Sequence, residues 1–513
     1  MNDKNYYDVI VIGAGNGGLA AAVNILTHGK SCLVLEKHNI PGGFATSFVR
    51  GRFEFEASLH QFNGIGTKEK EGSSAKLFKE LGLDNKIEWI HLKEAYRLII
   101  PSENVDVRVP FGVDNFIKLG DTLCPNGSKC ISEFFTLCNN ITLAMSYLSE
   151  THGKPDPKVM QTQYIDYMTT CSYSYKEVMD KLNYPKIIRQ ALSAYWCYIG
   201  ASEEDISFVH LANMINSYIR NGATIPTFRS HGLSLAFESR IHELGGDIYY
   251  NSQVDKILTN ENNEIAGIRL INGKEFYTKH IIANTSQHNV YSKMLDKKAI
   301  PERAIKLANY RKFAARGYTI FLGLNKSPEE LGINDHSYFI YCSGDNIKVY
   351  NEMAKLPHAA GQATVCLNKA LPSCSPKGTT ILYMTTLFTD DVWKEVNELN
   401  YSKIKNEVAK GIIKQFEDAT GVNLHDNIEE IAIASPITYA RYCLHPQGVI
   451  YGYYSQYNDG LMQRIQSVNE DNYVKGLRFA GGYAERLDGF SSSYKSGYNE
   501  AMRTLSDISK EAK

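Results

Sequence analysis

The chain lacks most of the features that would assign it quickly. Fifty-five basic residues face 56 acidic ones, a net charge of −1, so there is no basic excess to follow a nucleic-acid backbone and no nucleic-acid partner is expected. No uninterrupted apolar run approaches the ~18 residues of a membrane-spanning helix. The opening MNDKNYYDVIVIGAG runs almost directly into a strand, a pattern that fits neither a signal nor a transit peptide. No two of the ten cysteines show C-x-x-C spacing. The closest set, Cys124, Cys130 and Cys138, fits neither a zinc nor a redox site. No metal is expected, and scattered reduced thiols point to a cytoplasmic location. What is present is a chain of 513 residues, 43% hydrophobic and 22% charged. That balance is globular, and the length exceeds a single core, so two or three domains are expected.

The strongest local signal is N-terminal. DVIVI (residues 8–12) is a continuous apolar run of the kind that forms a strand buried on both faces. Gly13-Ala14-Gly15-Asn16-Gly17-Gly18 follows, then LAAAVNILTHG, a small-residue helix, and then SCLVLE, a second strand ending in Glu36. Strand, glycine turn, helix, strand and terminal acid occur in the order of a dinucleotide-binding unit. Gly13 permits the tight turn, Gly15 lets a pyrophosphate approach the backbone, and Gly18 allows close helix–strand packing. The helix N-terminus supplies unpaired N–H groups and a positive dipole. Glu36 is placed to hold a ribose hydroxyl pair.

After Glu36 come KHNIPGGFATSF, with Gly42-Gly43 in a second glycine turn, and FEFEASLHQF (residues 53–62), a strand leading into a turn. Here the sequence resembles the flavoprotein superfamily that includes amine oxidases, phytoene desaturases and retinol saturase. The resemblance implies FAD, with Lys37, Gly42, Gly43 and Thr46 in the segment beside its ribose and pyrophosphate. Residues 225–246 resemble the segment where phytoene desaturase relatives carry a P-x-G-G turn, although the turn here reads Arg229-Ser230-His231-Gly232. A meander follows, with Asn272-Gly273 as a two-residue hairpin turn, and Val254 corresponds to a residue that lines the adenine. QGVIYGYY (residues 447–454) resembles the family's G-x-x-Y-G loop.

The C-terminal LRFAGGYAERLDGF resembles the last family segment, a strand, A-G-D and a glycine-rich turn into a helix. This places Gly481, Gly482, Gly489, Phe490 and Ser491 at the flavin. Gly482 stands where many members have an Asp that binds a ribityl hydroxyl, so backbone and water, Glu485 or Asp488 would take that role. The fold implied is α/β: a GR2-type, Rossmann-like FAD-binding domain that is discontinuous in sequence, with a mixed α+β substrate domain. Residues 1–70, 225–300 and 431–513 are assigned to the first, and residues 71–224 and 301–430 to the second.

The substrate domain is expected to be an antiparallel sheet flooring a cavity under helices. Its first segment reads as helical and rich in tyrosine. An apolar site with a few polar tips follows. No second strand–GxGxxG–helix unit is visible, so electrons would come from an external donor or acceptor or from the substrate itself. Candidate proton handlers are His60, Tyr198, His231 and Tyr451. Retinol saturase relatives carry a histidine at the position of His60, and Tyr198 lies in YIGASEEDIS, which resembles a segment passing near the isoalloxazine. The activity implied is reduction or introduction of a carbon–carbon double bond in a hydrophobic substrate such as an isoprenoid, retinoid, steroid or unsaturated fatty acid. A redox-neutral double-bond isomerase or fatty-acid hydratase is the alternative, followed by an amine oxidase and a non-catalytic prenyl-binding protein resembling GDP-dissociation inhibitors. A hydrophobic substrate leaves peripheral membrane contact open. Oligomeric state is not legible.

Overall fold

A computed structural model describes residues 5–67, 70–151, 154–456, 473–484 and 489–511. Five parallel strands form one sheet in the order Asp247–Tyr249, Cys32–Leu35, Val9–Ile12, Ile281–Ala283, Leu477–Phe479. The alternation of strand side chains splits the apolar run VIVI between two cores. Val9 and Val11 face the helical core with Leu19, Phe237, Tyr494 and Ala501. Ile10 and Ile12 face the other with Val254, Ile257, Ile268 and Phe276. Helices Asn16–Thr27, Arg229–Glu243 and Phe490–Glu511 cover one face. The meander Val254–Thr259, Ile265–Leu270, Glu275–Tyr277 covers the other. The resulting half is α/β and assembled from segments far apart in sequence. The meander's last turn differs from expectation. Leu270 N–H donates to Lys274 O at 2.8 Å and Gly273 has φ +85°, so the loop is three residues, Ile271 to Gly273, with glycine at the left-handed position.

The first and last helices cross at glycines. A Cβ on Gly497 would run into the carbonyl of Gly17, and one on Gly17 would lie 2.7 Å from the Gly481 nitrogen. Backbone therefore meets backbone at the point where the two ends of the chain close the nucleotide-binding half.

The second sheet has seven strands in the order Ile428–Ala434, Arg316–Leu324, Thr380–Phe388, Gly361–Cys366, Ser337–Tyr341, Glu94–Ile100, Val105–Pro110. It is antiparallel except where Ser337–Tyr341 runs parallel to Glu94–Ile100. Both of its edges correct the sequence reading. The hairpin Glu94–Pro110 comes from the segment read as helical, and Ile428–Ala434 straddles the border drawn at 430/431. The hairpin joins the sheet through Ser337–Tyr341 and Ile428–Ala434 joins it through Arg316–Leu324, partners distant in sequence that local pattern does not signal. Helix Tyr401–Thr420 covers one face, with Val408, Ile412 and Phe416 against Tyr318, Ile320, Leu382 and Met384. Thr319, Phe321, Tyr383 and Thr385 project from the opposite face toward the nucleotide-binding half, where Phe48 and Phe55 of the hairpin Ser47–Glu56 meet Phe321. Above lie the helices Gly127–Glu150 and Phe208–Asn221 and the turn Ala194–Tyr198. Phe62–Asn63, Ala223–Pro226 and Trp89–His91 form a small sheet between these parts. Among the described residues no helix is long and apolar enough to cross a membrane.

Candidate functional site

Two glycine turns meet at the carboxyl ends of the parallel strands. Gly13 N–H donates to Leu35 O at 2.8 Å, and Gly42 N–H to Ala14 O at 2.8 Å, with Gly15 bridged to Gly42. A Cβ on Gly43, which has φ +62°, would lie 3.5 Å from the Gly15 Cα. Gly18 packs against the Gly13 carbonyl and Val11. The helix Asn16–Thr27 starts at Gly15 with no side-chain cap, so its first N–H groups stay available to an anion. The Glu36 carboxylate is buried against the turn, accepting from Ala14 N–H and from His38 N–H, each at 2.8 Å. Ser252 N–H donates to Glu36 O at 2.8 Å, which brings the buried Val254 to the same end of the sheet. The Thr46 carbonyl accepts from Ala57 N–H at 3.0 Å, at the foot of the hairpin. Lys37 Nζ donates to Arg441 O at 2.9 Å, and burial lowers its ammonium below the ordinary lysine range.

The C-terminal segment closes this cradle. Gly481 N–H donates to Ser496 Oγ at 3.2 Å. Gly482 follows it, and Gly489 precedes Phe490 and Ser491 in the first turn of the last helix. Phe490 lies edge-on to Phe62, 6.4 Å between centroids. Glu485 and Asp488 lie outside the described residues. One residue of the cradle was not anticipated. Asn284, just past the strand Ile281–Ala283, donates from Nδ2 to Ala480 O at 3.0 Å, and its side chain abuts Gly13, Gly15 and Gly481. Its position follows from strand order, and nothing in its own neighbourhood of sequence marks it.

The cradle fits a dinucleotide. The glycines leave backbone exposed at a helix start, the Asn16 Oδ1 is buried with no partner among the described residues, and an acid closes the far end. FAD would be held by the Gly13–Gly18 turn and Glu36 on one side and by Gly481, Gly482 and the helix start at Gly489, Phe490 and Ser491 on the other.

The proton-handling candidates divide. His60 sits between the two halves, with its ring 6.0 Å from that of Tyr198 and 5.4 Å from that of Tyr383. Its Nε2 lies 3.3 Å from Thr385 Oγ1. Burial pushes its imidazole down to about 4 and that of neighbouring His336 down to about 3. Tyr198 belongs to an aromatic group with Tyr195, Tyr218 and Phe339, at centroid distances of 5.3, 5.9 and 5.5 Å. Its hydroxyl has no hydrogen-bond partner among the described residues, and burial raises it well above the ordinary phenol range. Tyr451 joins the same core, its ring against Gly200. His231 stands apart. It lies in the first turn of the helix Arg229–Glu243 among Glu54, Glu238 and Arg229, and burial lowers its imidazole.

Sequence reasoning also missed Glu56. Its carboxylate is almost fully buried and accepts from Ser230 Oγ at 2.5 Å, Ser230 N–H at 2.9 Å, Leu59 N–H at 3.1 Å and Ser58 N–H at 3.3 Å. It ties the start of the helix Arg229–Glu243 to the turn that carries His60. Burial raises its carboxyl against the pull of those donors.

A dinucleotide cradle joined to an enclosed aromatic site, with a neutral imidazole and a phenol at the junction, is the arrangement of an FAD-dependent oxidoreductase. The chain belongs to the family of flavin-containing amine oxidoreductases, whose family model matches residues 17–505. Within that superfamily it falls in the phytoene desaturase and retinol saturase-like group. It is 24% identical over 473 residues to the all-trans-retinol 13,14-reductase of Danio rerio, covering 87% of this chain and 77% of that one. It is 25% identical over 460 residues to the chloroplastic prolycopene isomerase of Daucus carota, covering 86% and 71%. Among solved structures, an oxidoreductase from Methanosarcina mazei aligns with a TM-score of 0.63 at 17% identity over 96% of this chain and 99% of that one. A putrescine oxidase variant aligns at 0.67 with 12% identity over 98% and 99%. These structural likenesses establish the fold.

Proposed function

We propose that the protein reduces, or introduces, a carbon–carbon double bond in a hydrophobic, isoprenoid-like substrate. The observation that carries the reading is the pairing of His60 with the unpartnered Tyr198 hydroxyl inside an aromatic enclosure, at the junction with the nucleotide-binding half. The relatives support it, since one acts by name on retinol and the other on prolycopene. Bound FAD would supply the hydride-accepting or hydride-donating centre. The protein residues supply everything else. Tyr195, Tyr198, Tyr218 and Phe339 form an apolar wall that excludes water, and the row Thr319, Thr385, Ala363, Phe339 gives the sheet a floor of mostly small side chains. His60 and Tyr198 hold the protons at the imidazole and the phenol oxygen. Both are kept neutral by burial, so each can donate without first shedding a solvation shell.

A second reading, redox-neutral shift or isomerisation of a double bond, is favoured by the prolycopene isomerase relative. Stoichiometry separates the two. The protein is reconstituted with FAD and incubated anaerobically with a polyene such as retinol or a poly-cis carotenoid, with and without a reductant. Consumption of one two-electron equivalent per bond changed supports the first reading, and isomer formation without net consumption supports the second. His60→Asn and Tyr198→Phe should each lower turnover by about 10²-fold or more. In a separate incubation under air, with dioxygen as the electron acceptor, peroxide release from amines with no change in any polyene would overturn both readings.

A further inference from the structure

We propose that Tyr439, Thr319 and Thr385 form a directed chain of hydroxyl donors that fixes His60 with its proton on Nδ1, making these three positioning residues for the imidazole. The inference rests on the reading of His60 as the proton handler, although the chain itself is a matter of geometry. Thr319 and Thr385 sit directly opposite each other on adjacent antiparallel strands, and their Oγ1 atoms are 3.0 Å apart. Tyr439, from the helix Pro436–Cys443, donates its O–H to Thr319 Oγ1 at 2.8 Å. At the other end Thr385 Oγ1 lies 3.3 Å from His60 Nε2. Four side chains from four separate segments make one line across the floor of the enclosure.

The direction of the line follows from counting protons. Each hydroxyl has one to give. Thr319 is the only hydrogen-bond partner of the Tyr439 hydroxyl among the described residues, so the phenol proton points at Thr319. Thr319, having accepted, gives its own proton to Thr385. Thr385 then gives its proton to His60, and Nε2 must receive it with a lone pair. With Nε2–H donating to Thr385 instead, four protons would compete for three links, and one hydroxyl proton of the line, that of Thr385 or of Tyr439, would have no acceptor among the described residues. A buried donor left without an acceptor is the more costly arrangement. Burial keeps the imidazole neutral, so its tautomer is the only protonation variable left. The Nδ1 of His60 has no hydrogen-bond partner among the described residues but is not fully enclosed, so an Nδ1–H is a donor open to a bound substrate rather than a stranded one.

The test is nitrogen NMR on protein labelled at histidine with ¹⁵N, loaded with FAD, with the His60 signals identified by their loss in His60→Asn. The expected result is a protonated Nδ1 and an unprotonated Nε2. Thr385→Val removes the last donor while keeping the shape, and should shift His60 toward the Nε2–H tautomer or a mixture. Thr385→Ser should restore the original signature. Tyr439→Phe, at the far end, should weaken it. In turnover with a polyene, Thr385→Val should lower kcat by up to about a hundred-fold with KM little changed. A wild-type His60 protonated at Nε2 would overturn the chain, as would an unchanged signature in both Thr385→Val and Tyr439→Phe. The NMR readout needs no substrate. A confirmed Nδ1–H together with a fully active His60→Asn would leave the chain standing and remove only the catalytic role of His60.

Discussion

Two adjacent glycines, Gly481 and Gly482, should respond to the same substitution in opposite ways. Gly481 has φ +86°, and a Cβ built on it would collide with the Asn284 amide nitrogen. Gly482 lies outside the left-handed region, and among the described residues its Cβ would meet nothing closer than the Tyr451 carbonyl oxygen at 3.6 Å, an ordinary contact. For Gly481→Ala, the left-handed backbone costs about 1–2 kcal/mol in a residue with a side chain. Overpacking against Asn284 adds about 1–3 kcal/mol. A loss of roughly 2–5 kcal/mol is therefore expected, and Gly482→Ala should stay within about 0.5 kcal/mol of wild type. Urea unfolding of the FAD-free protein, followed by tryptophan fluorescence, reads both. The space at Gly482 also allows Gly482→Asp, which restores the acid that many family members place there. A hydrogen bond to a charged group contributes about 1.5–3 kcal/mol, so FAD should bind roughly ten- to a hundred-fold more tightly to this variant in a flavin titration. Equal stability of Gly481→Ala and wild type would refute the account of this turn. Damage from Gly482→Ala as large as that from Gly481→Ala would refute it equally.

Glu36→Gln should lose FAD binding and also destabilise the FAD-free protein by about 1–3 kcal/mol, because one carboxamide cannot accept from both Ala14 N–H and His38 N–H; the same urea titration reads the second effect with no cofactor present. The His60 imidazole titrates at about 4 in the folded chain against an ordinary 6.5. Between those values the unfolded chain binds the extra proton, so stability falls as pH drops through the window. Wild type should lose about 3 kcal/mol more than His60→Asn between pH 7 and pH 4. Parallel unfolding curves for the two proteins across that range would contradict the burial of the ring.

The nucleotide-binding half was largely legible because its chemistry is local. Strand, glycine turn, helix, strand and acid follow one another within residues 8–36, and the glycine positions state where backbone must be exposed. The final segment could be paired with the first because the same turn chemistry recurs there. Asn284 and Glu56 were not legible. A lone asparagine after a strand and a glutamate in FEFE look like ordinary surface residues until strand order and helix docking bury them. The sheet edges failed for a related reason, since Glu94–Pro110 and Ile428–Ala434 pair with strands far away in sequence.

The chain's own order of residues determined that it would bind a dinucleotide, since that requires only backbone N–H groups and an acid held at short range. Only the tertiary structure decided what stands opposite the cofactor cradle. His60 meets Thr385 across 325 positions of sequence, and Thr319 meets Tyr439 across 120. Both contacts depend on the register of two antiparallel strands. A slip of one residue would turn Thr319 and Thr385 to the opposite face, because strand side chains alternate with a period of two.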